Sequence, residues 1–89
     1  MYFTSNIKFL RKRRGRTQDD VAAALNLKRS TLSGYENGVA QPGIDILISF
    51  SGYFNVSIDT LLKIDISQLS ESQLGELERG CDAYVKGSN

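Results

Sequence analysis

Arg29, Ser30 and Ser33, with Gln18, Lys28, Thr31 and Asn37 close by, gather cationic and hydrogen-bonding side chains within twenty residues. A guanidinium is a planar fork of donors that holds two acceptors at once, a hydroxyl donates or accepts, and a lysine is a point charge. This is the chemistry of gripping anions and polar edges. Bond-breaking chemistry has little to work with here: the chain has no histidine, no glycine-rich phosphate loop and no paired carboxylates at a cleft, so no enzymatic activity is expected. With a single cysteine, Cys81, and no histidine, neither a zinc site nor a disulfide within the chain is expected, nor any other metal or cofactor.

Two short helical patterns must position those side chains. Val21, Ala22 and Leu25 stand at i, i+1 and i+4, and Leu32, Tyr35 and Glu36 at i, i+3 and i+4, so each segment carries one inward stripe. Between them lies Asn26-Leu27-Lys28. A turn this short needs a residue that tolerates a left-handed backbone, as Asn does, and Leu27 then plugs the corner. Ala22 is small where the helix axes approach. Thr17 is an N-cap with Asp20 at the acidic position of a capping box, and Asp19 and Asp20 suit the positive end of the helix dipole. Asn37-Gly38 supplies a glycine stop for the second helix.

Such a pair is a helix-turn-helix whose second helix, Arg29 to Glu36, is shaped for the DNA major groove. Its outward residues are Arg29, Ser30, Ser33, Gly34 and Asn37. Arg29 suits direct base readout, because its fork matches guanine O6 and N7; Ser30 and Ser33 can bond either base type and discriminate weakly. Specificity is therefore expected from Arg29 and from DNA shape. Gly34 is expected at the bases either through close backbone approach to a thymine methyl or phosphate, or simply as a surface glycine. Gln18, Lys28, Thr31 and Asn37 are expected at phosphates.

Residues from Asn6 to about Leu62 resemble the Cro/CI/Xre helix-turn-helix family of phage and bacterial repressors. The likeness rests on Arg11, Gly15, Thr17-Gln18, Val21-Ala22, Leu25, Ser30-Thr31-Leu32 and, above all, Tyr35-Glu36-Asn37-Gly38. It covers about two thirds of the chain. It implies an all-α, compact five-helix, lambda-repressor-like DNA-binding domain over residues 1–66, a transcriptional regulator, and repression as the sense of its action. It also implies that Gln18 lies beside a backbone phosphate at the start of the first motif helix. The family has an apolar residue where Arg16 stands, a glycine where Asn26 stands and a small capping residue where Lys28 stands; Arg16 and Lys28 are accordingly expected in solvent or facing phosphate.

The run Arg11-Lys12-Arg13-Arg14-Gly15-Arg16 is either a nucleic-acid patch or a solvated helix end, and the second suits Lys12 and Arg13. Arg11 shares a stripe with Ile7 and Leu10 and should point inward, where an arginine needs a partner. Glu36 is the only acid between Asp20 and Asp45, which predicts an Arg11–Glu36 ion pair. Residues 1–38 hold eight Lys and Arg against three acids, a net of +5, whereas the whole chain is +1 and residues 67–89 are −2. Positive charge thus gathers on the half that should meet double-stranded DNA.

At 89 residues and 40% hydrophobic the chain can build one small core without staples. Ile44, Leu47, Ile48 and Phe54 predict a fourth helix, and Ser57 caps a fifth through Ile58, Leu61 and Leu62, with Phe50 and Tyr53 as core or dimer surface. The resemblance implies a homodimer paired through this region, with its two reading helices roughly 34 Å apart. In residues 67–89, a C-terminal helix or linker, Ser70 and Gln73 form a capping box ahead of a stripe of Leu74, Leu77, Cys81 and Tyr84, broken by Gly75 and Gly80. An amphipathic helix from about Glu71 to Tyr84 follows, and the likeness of residues 65–85 to the linker helix of LexA-like repressors suggests a C-terminal domain beyond this chain. No apolar run is long enough for a signal or membrane segment, so a cytoplasmic protein without a membrane partner is expected. The rival reading is a protein-interaction module on the same fold, such as an antitoxin or a repressor antagonist.

Overall fold

The computed structural model describes residues 1–79, in which six α-helices and one 3-10 turn surround a single core and no strand occurs. Helix α1 (Phe3–Arg13) buries Phe3, Ile7 and Leu10 on one stripe, with Asn6 among them. Helix α2 (Gln18–Ala24) starts from a complete capping box: Asp20 N–H donates to Thr17 Oγ1 at 3.0 Å and Thr17 N–H to Asp20 Oδ2 at 2.9 Å. Val21 and Ala22 face inward, and the chain turns at Asn26, whose φ of 56° is the left-handed conformation its short amide tolerates. Leu27, half-buried, packs against the core at that corner.

Helix α3 (Arg29–Glu36) buries Leu32, Tyr35 and Glu36 and stops at Gly38, which has a φ of 73°. Helix α4 (Ile44–Phe54) buries Phe50 and Phe54. Helix α5 (Ile58–Lys63) is capped by Ser57, whose hydroxyl accepts from Thr60 N–H at 3.0 Å. A 3-10 turn (Ile66–Gln68) leads to α6 (Glu71–Glu78), which starts from the Ser70–Gln73 capping box and buries Leu74 and Leu77. The expected five-helix domain with a further C-terminal helix is therefore the architecture found. Cys81 and Tyr84 of the expected α6 stripe lie outside the described residues.

Phe50 is the centre of the core. Its ring meets Phe3 of α1 edge-on at 5.4 Å and Tyr35 of α3 edge-on at 6.2 Å, and it stacks on Phe54 at 6.3 Å. Edge-to-face pairs of this kind add about 0.5–1.5 kcal/mol each beyond the area they bury. The sequence stripe drawn for α4 needs correction: Ile44 and Ile48 are 63% and 55% exposed. The two phenylalanines, with half-buried Leu47, decide which face turns inward; Ile48 lies about 100° round the helix from Leu47, and Ile44 is the first residue of the helix.

Asn6 is a buried polar anchor that the sequence did not announce. Its Nδ2 donates to Leu61 O at 2.8 Å and Ile64 O at 2.7 Å, and its Oδ1 accepts from Ile66 N–H at 3.0 Å. Every one of its bonds goes to backbone at the end of α5 or just beyond, so α1 is fastened there although the amide is 1% exposed.

Candidate nucleic-acid interface

The outer face of α3 and the start of α2 enclose an open concavity of about 420 Å³ lined by Gln18, Arg29, Ser30 and Ser33. Arg29 and Ser30 are exposed and Ser33 half-exposed. Lys28, Thr31, Gly34 and Asn37 are not part of its lining. Lys28 is exposed and its side chain makes no cap bond to α3; Thr31 is half-buried. Asn37 donates from Nδ2 to Ser33 Oγ at 3.1 Å, which occupies an acceptor position on Ser33 and leaves its hydroxyl hydrogen to point elsewhere. A Cβ built on Gly34 would sit 3.6 Å from the Ala40 side chain, and its carbonyl accepts from Val39 and Ala40 N–H at 2.9 and 3.2 Å. Its role in the structure is to seat the loop that follows α3.

Beneath this face lies a polar knot that joins three helices. Arg11 donates from Nε to Glu36 Oε2 at 2.7 Å and from Nη2 to Oε1 at 3.0 Å, a two-pronged pair. Gln18 Nε2 adds a third bond to Glu36 Oε1 at 3.1 Å, and Arg11 Nη1 closes the turn between α1 and α2 on Arg16 O at 2.9 Å. The Glu36 side chain is only 1% exposed. Burial pushes its carboxyl upward, but the bonds from Arg11 and Gln18 and the charges of Arg11 and Lys8 outweigh it and hold the group below the usual glutamate range. The hydrogen bond to Glu36, opposed by burial, holds the Arg11 guanidinium above its ordinary value, with the carboxylate's charge acting in the same direction.

Because one Nε2 hydrogen is held by Glu36, the Gln18 amide is fixed from behind and keeps its carbonyl oxygen and second N–H for other partners. The sequence had no means of showing this preorientation, since it depends on Glu36 arriving from α3.

The basic run is used in part as expected, with Lys12 and Arg16 exposed and Arg11 paired to Glu36, and in part differently. Arg13 is not simply solvated: its Nε and Nη2 grip Glu78 Oε2 and Oε1 at 3.0 and 3.1 Å, and Nη1 reaches Glu71 at 3.3 Å, which fastens α6 to α1. Arg14 donates to the carbonyls of Tyr53 and Phe54, free acceptors at the C-terminal end of α4, and its guanidinium lies over the Phe54 ring at 5.2 Å. Three of the eight basic side chains in residues 1–38 are therefore committed inside the fold, and Lys12, Arg16, Lys28 and Arg29 are the exposed cations among these residues. The partners of Arg13 and Arg14, acids on α6 and backbone carbonyls of α4, leave no local trace in sequence.

The family model for the helix-turn-helix domain HTH_3 matches residues 7–61, a span that holds α2, α3 and the concavity. The chain is 36% identical over 75 residues to the HTH-type transcriptional regulator ImmR of Bacillus subtilis (strain 168), which takes in 83% of this chain and 59% of that protein. It is 38% identical over 61 residues to the uncharacterized HTH-type transcriptional regulator YqaE of the same organism, with 68% of this chain and 53% of that one covered. The chain thus spans little more than half the length of the curated relatives it matches. Among solved structures, a chain of the SinR protein/SinI protein complex superposes with a TM-score of 0.68 at 28% identity, covering 98% of this chain and 82% of that one.

Proposed function

Since the chain belongs to the HTH_3 helix-turn-helix family, we propose that it binds double-stranded DNA in a sequence-specific manner as a transcriptional regulator, with α3 in the major groove. The observation that carries this reading is the concavity of Gln18, Arg29, Ser30 and Ser33, in which groups from both helices of the motif converge on one open face. Arg29 reads guanine through its fork. Ser30 reads alongside it, and Ser33, with Asn37 bonded to its oxygen, offers its hydrogen to a base acceptor. Gln18, held from behind by Glu36, reaches backbone phosphate with its remaining N–H, joined by Lys28, Thr31 and Asn37. Gly34 supports the loop after α3. The regulator acts as a homodimeric repressor, each copy reading one half of a two-fold site.

The test is selection from a pool of random duplexes at several salt concentrations, wild type against Arg29→Ala. An enriched palindrome that is lost with Arg29 and weakened steeply by salt supports the reading; no enrichment, or a variant that behaves as wild type, refutes it. Transcription from a reporter carrying the enriched site then gives the sign of regulation. A protein-binding role on the same fold is the second reading. It is favoured by the solved neighbour being a complex with a second protein, and it predicts that changes at Arg29, Ser30 and Ser33 leave partner capture intact.

A further inference from the structure

The exposed carboxylate of Asp19 sits beside the exposed guanidinium of Arg29, with Asp19 Oδ1 3.7 Å from Arg29 Nε. Arg29 lines the concavity, and Asp19, in the first turn of α2, reaches that face through its contact with Arg29. Asp20, its neighbour, is occupied by the N–H of Thr17 in the capping box, and Glu36 is buried against Arg11. Asp19 makes no capping bond to α2. Asp19 suits the positive end of the α2 dipole, but an acid beside a face that meets polyanionic DNA repels phosphate, a cost that a second role at Arg29 would offset.

We propose that Asp19 is a specificity determinant of the α3 reading face, which orients Arg29 for guanine and suppresses binding to DNA without the site. A guanidinium has five donors in one plane. A carboxylate on the Nε side leaves the end-on pair of Nη groups directed outward, and that pair matches O6 and N7 of guanine. The first residue of α3 is also the positive end of its helix dipole, where a cation is disfavoured. A neighbouring anion on α2 offsets this and draws the fork across the concavity instead of toward phosphates alongside. Repulsion between Asp19 and phosphate weakens all complexes alike, and the oriented Arg29 restores affinity only where guanine is present. Discrimination rises at the expense of general affinity.

This inference rests on the DNA-reading role of α3, and the experiment separates the two. Wild type, Arg29→Ala and Asp19→Asn are compared on the duplex enriched from a random pool, on the same duplex with each enriched guanine in turn replaced by adenine, and on an unrelated duplex. Asp19 is exposed, so the variant keeps its fold, which circular dichroism checks. Asp19→Asn is expected to lower the preference for one guanine by roughly three- to tenfold and to bind the unrelated duplex roughly three- to tenfold more tightly at low salt, a gain that fades as salt rises. Arg29→Ala loses preference at the same guanine. If Asp19→Asn discriminates as wild type does while Arg29→Ala does not, the role of Asp19 is overturned and the reading of α3 stands. If Arg29→Ala keeps the preference, or no duplex is enriched at all, both are overturned.

Discussion

Glu36 shows how much of a single residue's role a sequence can carry. Its place on an inward stripe, and the lack of any other acid between Asp20 and Asp45, pointed to Arg11 as its partner, and the structure brings the two together at 2.7 Å. The third bond, from Gln18, was hidden because it depends on the crossing of α2 over α3. Since the Glu36 carboxyl is held below its ordinary value, the folded state favours its ionised form. The resulting stability is fully present above the ordinary glutamate range and is lost as pH falls through the folded value. Wild type should therefore exceed Glu36→Gln by about 1–3 kcal/mol at neutral pH, with the gap closing in acid; urea melts across pH 3–7 check this, and a gap that stays constant would remove the charge from the account. Asn6 marks the opposite limit. Its partners are backbone atoms of Leu61, Ile64 and Ile66, and no residue type at those positions advertises a free carbonyl.

At the scale of elements, helix starts were the most legible feature, because caps are local chemistry. Thr17 with Asp20, Ser57, and Ser70 with Gln73 all cap where the sequence places them, and Asn26 takes the left-handed turn. Faces were less legible where apolar residues crowd a helix on several sides. In α4 five of the first seven residues compete, Ile44, Ile46, Leu47, Ile48 and Phe50, and only packing against Phe3 and Tyr35 selects Phe50. Helix α3 carries an intrinsic weakness at Gly34, which costs about 1 kcal/mol relative to alanine within a helix. The space for a methyl group exists, with Ala40 at ordinary contact distance. Gly34→Ala should raise the melting temperature by several degrees and leave DNA binding in place; a loss of binding without loss of fold would show that DNA approaches the backbone there.

For the molecule as a whole, charge was read correctly in total and at Arg11 and Lys12, and wrongly in use at Arg13. Positive charge does gather in the first 38 residues, yet Arg11, Arg13 and Arg14 each hold a different part of the fold. The salt dependence of DNA binding should reflect the four exposed cations rather than all eight, a slope that titration from low to high salt measures directly. Helix α6 lies beyond the family match, which ends at residue 61, but it places Leu77 at 0% exposure in the common core. Leu77→Ala should cost about 2–5 kcal/mol in a urea melt, whereas a C-terminal segment that merely trails from the domain would give almost nothing. The grip of Arg13 on Glu78 has a further consequence for distance within the chain. Glu78 and Glu36 are separated by 42 residues of sequence, yet each is bonded to an arginine on α1, and the two arginines are two residues apart, about 3 Å along the helix axis. A pull transmitted through α6 thus reaches α1 about half a helical turn from the residue that seats the reading helix.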